Sequence, residues 1–178
     1  VTLEFPDLIQ QVRICRERGV TTALDNTWGA GLAFDAFDLG TLDEPLAVDI
    51  SVHALTKGHS GGGDVLMGSV VTRDDALHQR LKATHMRLGL GVGANDAEAV
   101  LRSLPSVGLR YRAHDAAARE LAAWMAGQSA VAQVLHPALP GSPGHAHWAA
   151  LCARGTGQGA AAGLFSVVID PRHGQQAV

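Results

Sequence analysis

Hydrophobic and polar positions change their spacing along this chain, and each change marks an element. Apolar and helix-forming residues from Pro6 to Glu17 predict a helix that stops at Gly19. Val20–Leu24 is a short β-branched and apolar run ending at Asp25, the pattern of a buried strand. Ala47–Thr56 is a second such run, ending at Lys57, and Val65–Thr72 is a third. Turn-rich or helical segments separate the three, as in an α/β sheet. Beyond them Asp74–Met86 and Asn95–Leu104 read as helices. Pro105 opens a longer helix over Ser106–Ala126, with Gly127 as its stop. Val131–Leu135 predicts a strand, His136–Gly144 a Pro/Gly-rich loop, His145–Ala153 a short helix and Leu164–Ile169 a last strand. Gly155–Gly163 is Gly/Ala-rich and reads as a flexible loop. A domain change is expected near Leu104, dividing the chain into 1–104 and 105–178.

Composition narrows the class. A length of 178 residues suits one domain, or one domain with part of another. With 47% hydrophobic and 17% charged residues, the chain is globular and not disordered. Net charge is −3 and no basic stripe interleaves with aromatics, which argues against a nucleic-acid partner. Cys15 and Cys152 stand far apart, in no disulfide framework and no metal-ligand spacing, as in a reducing compartment. The start is acidic, with no signal-peptide pattern, and no apolar run would span a bilayer. These features predict a cytoplasmic protein without a membrane partner.

Three features carry candidate chemistry. Asp25 ends a strand within Asp25-Asn26-Thr27-Trp28-Gly29, Thr56-Lys57 ends another, and Gly61-Gly62-Gly63 follows with Asp64 behind it. Ligands of open α/β sheets bind beyond the carboxyl ends of strands, so Asp25 and Lys57 are expected to face one crevice. A lysine condenses with an aldehyde only when neutral. At pH 7 an ordinary lysine is neutral in roughly one molecule in a few thousand, a fraction that desolvation raises. Pyridoxal phosphate acts as an electron sink when its ring nitrogen stays protonated, and a buried aspartate pairing with that nitrogen secures this. Thr56 offers a hydroxyl to the phosphate. Plainer readings stand beside these. Lys57 also fits a solvated loop, Asp25 a helix cap or Asx turn, and the glycines a flexible turn without the Walker pattern.

The same residues resemble those of a known family. Asp25-Asn26-Thr27-Trp28-Gly29-Ala30-Gly31 is similar to a segment of the Cys/Met-metabolism pyridoxal-phosphate enzymes. So is Ser51-Val52-His53-Ala54-Leu55-Thr56-Lys57, followed by Gly61–Gly63, Asp64 and Gly68. Arg87-Leu88-Gly89, Asn95-Asp96, Arg102–Pro105, His136–Gly141 and Gly163–Ser166 extend the resemblance over nearly the whole chain. It implies the aspartate-aminotransferase-like fold of type I: part of a large, mainly parallel-sheet domain plus the start of a small C-terminal domain. By position, Lys57 matches the lysine that carries pyridoxal 5'-phosphate as a Schiff base, Asp25 the acid paired with the ring nitrogen, and Thr56 a phosphate-binding hydroxyl. Ala54 stands where some relatives have serine, and Gly58 where many have tyrosine.

The bacterial cystathionine β-lyases of that family look most similar. They imply a small amino-acid substrate, cystathionine, cleaved to homocysteine, pyruvate and ammonia in methionine biosynthesis. They also imply a homotetramer built from dimers. γ-Replacement on an activated homoserine is the neighbouring reading. The resemblance further implies an incomplete chain, lacking an N-terminal phosphate loop and stacking aromatic and a C-terminal substrate-binding arginine. An inert fragment is therefore the alternative from another class. A plain phosphate-binding module would rest on Gly61–Gly63 alone.

Other residues invite weaker readings. His136, His145 and His147 suggest a metal, but surface or structural roles fit a Pro/Gly-rich loop better. Trp28 reads as a pocket wall or a buried packing residue, and Trp124 and Trp148 as core or interface. Arg110 and Arg112 read as a solvated helix face, with substrate carboxylates as the sharper alternative. His53 lies on a predicted strand near the site.

Overall fold

The computed structural model describes residues 2–154 and 158–173. The chain forms two compact units. One is Ile9–Arg110; the other combines the residues up to Leu8 with those from Tyr111 onward, so the division falls within a helix.

The first unit opens with α1 (Leu8–Glu17), which is followed by Gly19 in the left-handed conformation. Strands β1 (Ala23–Asp25), β2 (Ile50–Ala54) and β3 (Gly68–Val71) form one sheet in that order. β1 runs parallel to β2, with Ala23 opposite Ile50 and Asp25 opposite Val52. β3 runs antiparallel to β2, with Ala54 opposite Gly68. Among the described residues the sheet thus joins one parallel and one antiparallel pair, as when a mainly parallel sheet carries an antiparallel strand. The strands are also shorter than their apolar runs, since Ala47–Asp49 and Leu55–Thr56 leave the ladder.

Two polar knots fix β1 against β2. At the amino-terminal ends, the Thr22 N–H and hydroxyl both donate to Asp49 Oδ2, at 2.7 and 2.8 Å. The Asp49 N–H returns a bond to Thr22 Oγ1 at 3.0 Å. The second knot, at the carboxyl ends, belongs to the site described below. Helix α2 (Asp75–Leu88) is capped by Asp74, whose carboxylate accepts from the Leu77 N–H at 2.6 Å, and ends on Gly89. Helix α3 (Ala94–Ser103) and a single 3₁₀ turn, Leu104–Ser106, lead into α4 (Val107–Ala126). Pro105 therefore lies in the 3₁₀ turn that precedes the long helix.

Leu55 and Val65 are buried against Val100 of α3, with Met67 and Ala99 packed around them. This cluster grips both ends of the segment that carries Lys57.

In the second unit β4 (Val131–Leu135) pairs antiparallel with β5 (Ser166–Ile169), and α5 (His145–Cys152) lies between them in sequence. Tyr111, Ala118, Ala122, Leu135, Trp148 and Leu151 are buried there. Residues 155–157 of the expected Gly/Ala-rich loop lie outside the described residues. The rest of it is firmly held. Asp115 accepts from the Ala161 N–H at 2.6 Å, Arg119 donates to Gly159 O at 2.6 Å, and Trp148 Nε1 donates to Ala160 O at 3.1 Å. Gly159 allows this close approach, because a Cβ there would overlap the backbone of Cys152 and Ala153.

Leu55→Ala is expected to cost about 3 kcal/mol, since it empties the centre of a buried cluster. A fall in the urea midpoint, read by circular dichroism, checks this.

Candidate active site

Asp25 is the last residue of β1, and the turn after it is tied to β2. The Asn26 N–H donates to Val52 O at 2.9 Å. Asp25 Oδ1 accepts from the Thr27 N–H at 3.0 Å and from the Thr27 hydroxyl at 2.5 Å. Thr27 Oγ1 itself accepts from the Ala54 N–H at 2.8 Å. A relay thus runs from the end of β2 through Thr27 to one carboxylate oxygen. Asp25 Oδ2 accepts no hydrogen bond among the described residues. Its carboxylate is oriented and keeps a free acceptor. Gly29 is needed in this turn, because a Cβ there would overlap the Asn26 side chain.

Lys57 lies in a run of turns three residues past β2. Its N–H donates to Ala54 O at 3.2 Å, and the Gly61 N–H donates to Lys57 O at 3.1 Å. Lys57 Nζ sits 5.9 Å from the centre of the Trp28 ring and forms no ion pair with an acid among the described residues. The structure therefore brings the Asp25 segment and Lys57 together through Trp28. Burial is where it departs from expectation. Asp25 and Lys57 are both exposed, because β1 is an edge strand and the turn projects beyond the sheet. Trp28 is half exposed and packs no core.

Thr56 is half-buried. Its Oγ1 accepts from the Met67 N–H at 3.3 Å, which leaves the hydroxyl hydrogen free to donate. Ser60 caps the same turn, with its hydroxyl on Thr56 O at 2.9 Å and its N–H on Leu55 O at 2.8 Å. Gly61 and Gly63 take φ of 75° and 70°. This donor set fits pyridoxal phosphate: an uncommitted amine, an oriented carboxylate with one free oxygen, and a hydroxyl with a free hydrogen.

Several weighed residues have other work. Arg110 is half-buried and makes five hydrogen bonds to uncharged acceptors, so the solvated-face reading is corrected. Arg112 is exposed. Trp148 is core, whereas Trp124 is 59% exposed. His136 is fully buried; its Nδ1 accepts from the Ala138 N–H, and its N–H donates to Ser142 Oγ. His145 Nδ1 lies 2.9 Å from Pro137 O, and His147 Nδ1 lies 3.8 Å from Asp7. No group of metal ligands forms among the described residues. A cavity of about 730 Å³ lies at the amino-terminal ends of β1 and β2, lined by Thr22 and Asp49, and contains none of the predicted site residues.

Sequence reasoning passed over Thr27 and His59. Thr27 has a local signal, since an Asp two residues before a Thr N–H favours an Asx turn. His53 and His59 meet edge to face, 5.3 Å between ring centres. His53 Nε2 and His59 Nδ1 are buried without a hydrogen-bond partner among the described residues. Desolvation holds both imidazoles below the ordinary value of 6.5, and Asp25 partly offsets this for His53. For His59 the neighbouring His53 and Arg110 lower it further, and a hydrogen bond with the Ala30 backbone opposes them.

Two outcomes follow from this geometry. Thr27→Val is expected to lower stability by about 1–3 kcal/mol by stranding the Ala54 N–H, while Thr27→Ser stays near wild type, as denaturant melts will show. Because folding depresses the values of His53 and His59, their contribution is complete above about pH 6.5 and is lost as pH falls through the folded values. The urea midpoint should therefore drop from roughly pH 8 to roughly pH 5, and drop less in His59→Gln.

Comparison with known proteins bears on this geometry. The family model for Cys/Met metabolism PLP-dependent enzyme matches residues 1–176. A putative cystathionine beta-lyase of Rhizobium johnstonii is 38% identical over 148 residues, covering 83% of this chain and 35% of that protein. The cystathionine beta-lyase of Salmonella typhimurium is 34% identical over 95% of this chain and 39% of that protein. Among solved structures, cystathionine gamma synthase from Xanthomonas oryzae pv. oryzae superposes with a TM-score of 0.78 at 31% identity, over 95% of this chain and 40% of that one. The chain thus spans well under half the length of these relatives. With the type I fold shared and the donor set fitting the cofactor, the chain belongs to the Cys/Met metabolism family of pyridoxal-phosphate-dependent enzymes.

Proposed function

We propose that the protein is a carbon–sulfur lyase that cleaves cystathionine by β-elimination to homocysteine, pyruvate and ammonia. The observation that carries this is the pairing of an uncommitted Lys57 amine with an Asp25 carboxylate fixed by Thr27 and open at Oδ2. When bound, pyridoxal phosphate supplies an electron sink for the charge left at the substrate α-carbon. Lys57 Nζ would hold the cofactor, and when free would take the substrate α-proton as general base and return a proton to the leaving sulfur. Asp25 Oδ2 would accept a hydrogen bond from the ring nitrogen and keep it protonated. Thr56 Oγ1 would donate its hydrogen to the phosphate. Trp28, already beside Lys57 Nζ, shields one side of the amine.

γ-Replacement on an activated homoserine is the second reading, favoured by the likeness to cystathionine gamma synthase. Both reactions use Lys57, Asp25 and Thr56. The family resemblance also supports assigning 1–104 to the cofactor-binding domain and 105–178 to the small domain. It supports a cytoplasmic homotetramer, built from dimers and acting in methionine biosynthesis.

Addition of pyridoxal phosphate, reduction with borohydride and peptide mapping are expected to label Lys57. Equal labelling of Lys82, the other lysine in the sequence, would refute this. Lys57→Ala is expected to reduce thiol release from cystathionine about a thousandfold. Sulfide incorporation into O-acetylhomoserine exceeding thiol release from cystathionine would transfer the assignment to γ-replacement.

A further inference from the structure

The turn that presents Lys57 has a weak point. Gly58 follows the lysine directly and has no side chain to limit its backbone. The turn spans Thr56 to Asp64, between the buried ends Leu55 and Val65. Arg110, from outside, hydrogen-bonds its middle. Arg110 Nη1 donates to Gly58 O at 2.6 Å, and Nη2 donates to His59 O at 3.2 Å. The rest of the guanidinium is anchored on the end of α3 and the 3₁₀ turn. Nη2 also donates to Ser103 Oγ at 2.7 Å and Ser103 O at 3.2 Å, and Nε donates to Ser106 Oγ at 3.0 Å.

We propose that Arg110 is a positioning residue for Lys57, clamping the carbonyls of Gly58 and His59 so that the turn holds the amine in one place. The planar fork suits this task. It meets two successive carbonyls on one side and the serine anchors on the other, which a lysine ammonium cannot do. Gly61 is shaped around the same group. A Cβ there would overlap the guanidinium, and its φ of 75° already favours glycine. The clamp also reaches β2. His59, held through its carbonyl, meets His53 edge to face, 5.3 Å between ring centres. A single guanidinium therefore bears on the Lys57 turn and, through His59, on the strand that leads into it. The clamp itself is independent of any ligand, whereas its effect on cofactor capture rests on the assignment of Lys57 above.

The test compares the chain with Arg110→Met and Arg110→Lys, with and without pyridoxal phosphate. Without cofactor, hydrogen exchange at the Ser60 and Gly61 amides is expected to speed up at least tenfold in Arg110→Met. It is expected to rise less in Arg110→Lys, while the β1–β2 ladder keeps its protection. With cofactor, cyanoborohydride trapping at Lys57 slows by a similar factor and trapping at Lys82 does not. The variants keep a visible absorption band but lose the induced circular dichroism that reports a fixed orientation. Should Arg110→Met fail to fold, Arg110→Lys decides by the same readings. Unchanged exchange at Ser60 and Gly61 overturns the clamp. Wild-type trapping rates with retained visible dichroism overturn the positioning role. Faster exchange in the variants, together with no Lys57 labelling in the wild-type chain, overturns the cofactor assignment and leaves the clamp standing.

Discussion

The parallel register of β1 on β2 is the constraint on which the site depends. It sets Asp25 opposite Val52, so the turn after β1 and the turn after β2 emerge from the same edge of the sheet. Three paired residues are too few to hold such a register by ladder hydrogen bonds alone. Threonine–aspartate knots finish the job at both ends: Thr22 with Asp49, and Thr27 with Asp25 and Ala54. The second knot has a chemical by-product. The bonds that lock the strands also spend one carboxylate oxygen of Asp25 and leave the other open.

Apolar burial and polar clamping divide the work around Lys57. Leu55 and Val65 sink into the cluster with Val100 and set where the loop begins and ends. They cannot set its interior, where Gly58, Gly61 and Gly63 leave the backbone free. There, hydrogen bonds from Ser60 and Arg110 take over. Hydrophobic burial is non-directional, while a guanidinium fork fixes angles as well as distance. The turn that carries the exposed Lys57 amine is therefore held by the second kind of interaction.

The second unit applies the same economy. Asp115 and Arg119 form an i, i+4 pair on α4 and reach the backbone of 159–161, as Trp148 does from α5. A loop composed for flexibility is held by side chains from two helices. Nearby, burial pushes the Cys152 thiol up to about 12, which keeps it protonated and inert.

The sequence by itself determined the elements and the chemistry of single residues. Helices at Leu8–Glu17, Asp75–Leu88 and Val107–Ala126, and the strand Val131–Leu135, were legible because propensity, capping and periodicity are local. Lys57, Asp25 and Thr56 were singled out because their residue types, together with family motifs, restrict the chemistry, and their roles stand as the proposal above. Tertiary structure decided what depends on partners distant in sequence. It set β3 antiparallel to β2, left Asp25 and Lys57 exposed, and turned Arg110 from a surface charge into a clamp on residues 51 and 52 positions away. No local pattern encodes such a contact, because a guanidinium reads the same in solvent and against a carbonyl. Only the fold determines which of the two surrounds it.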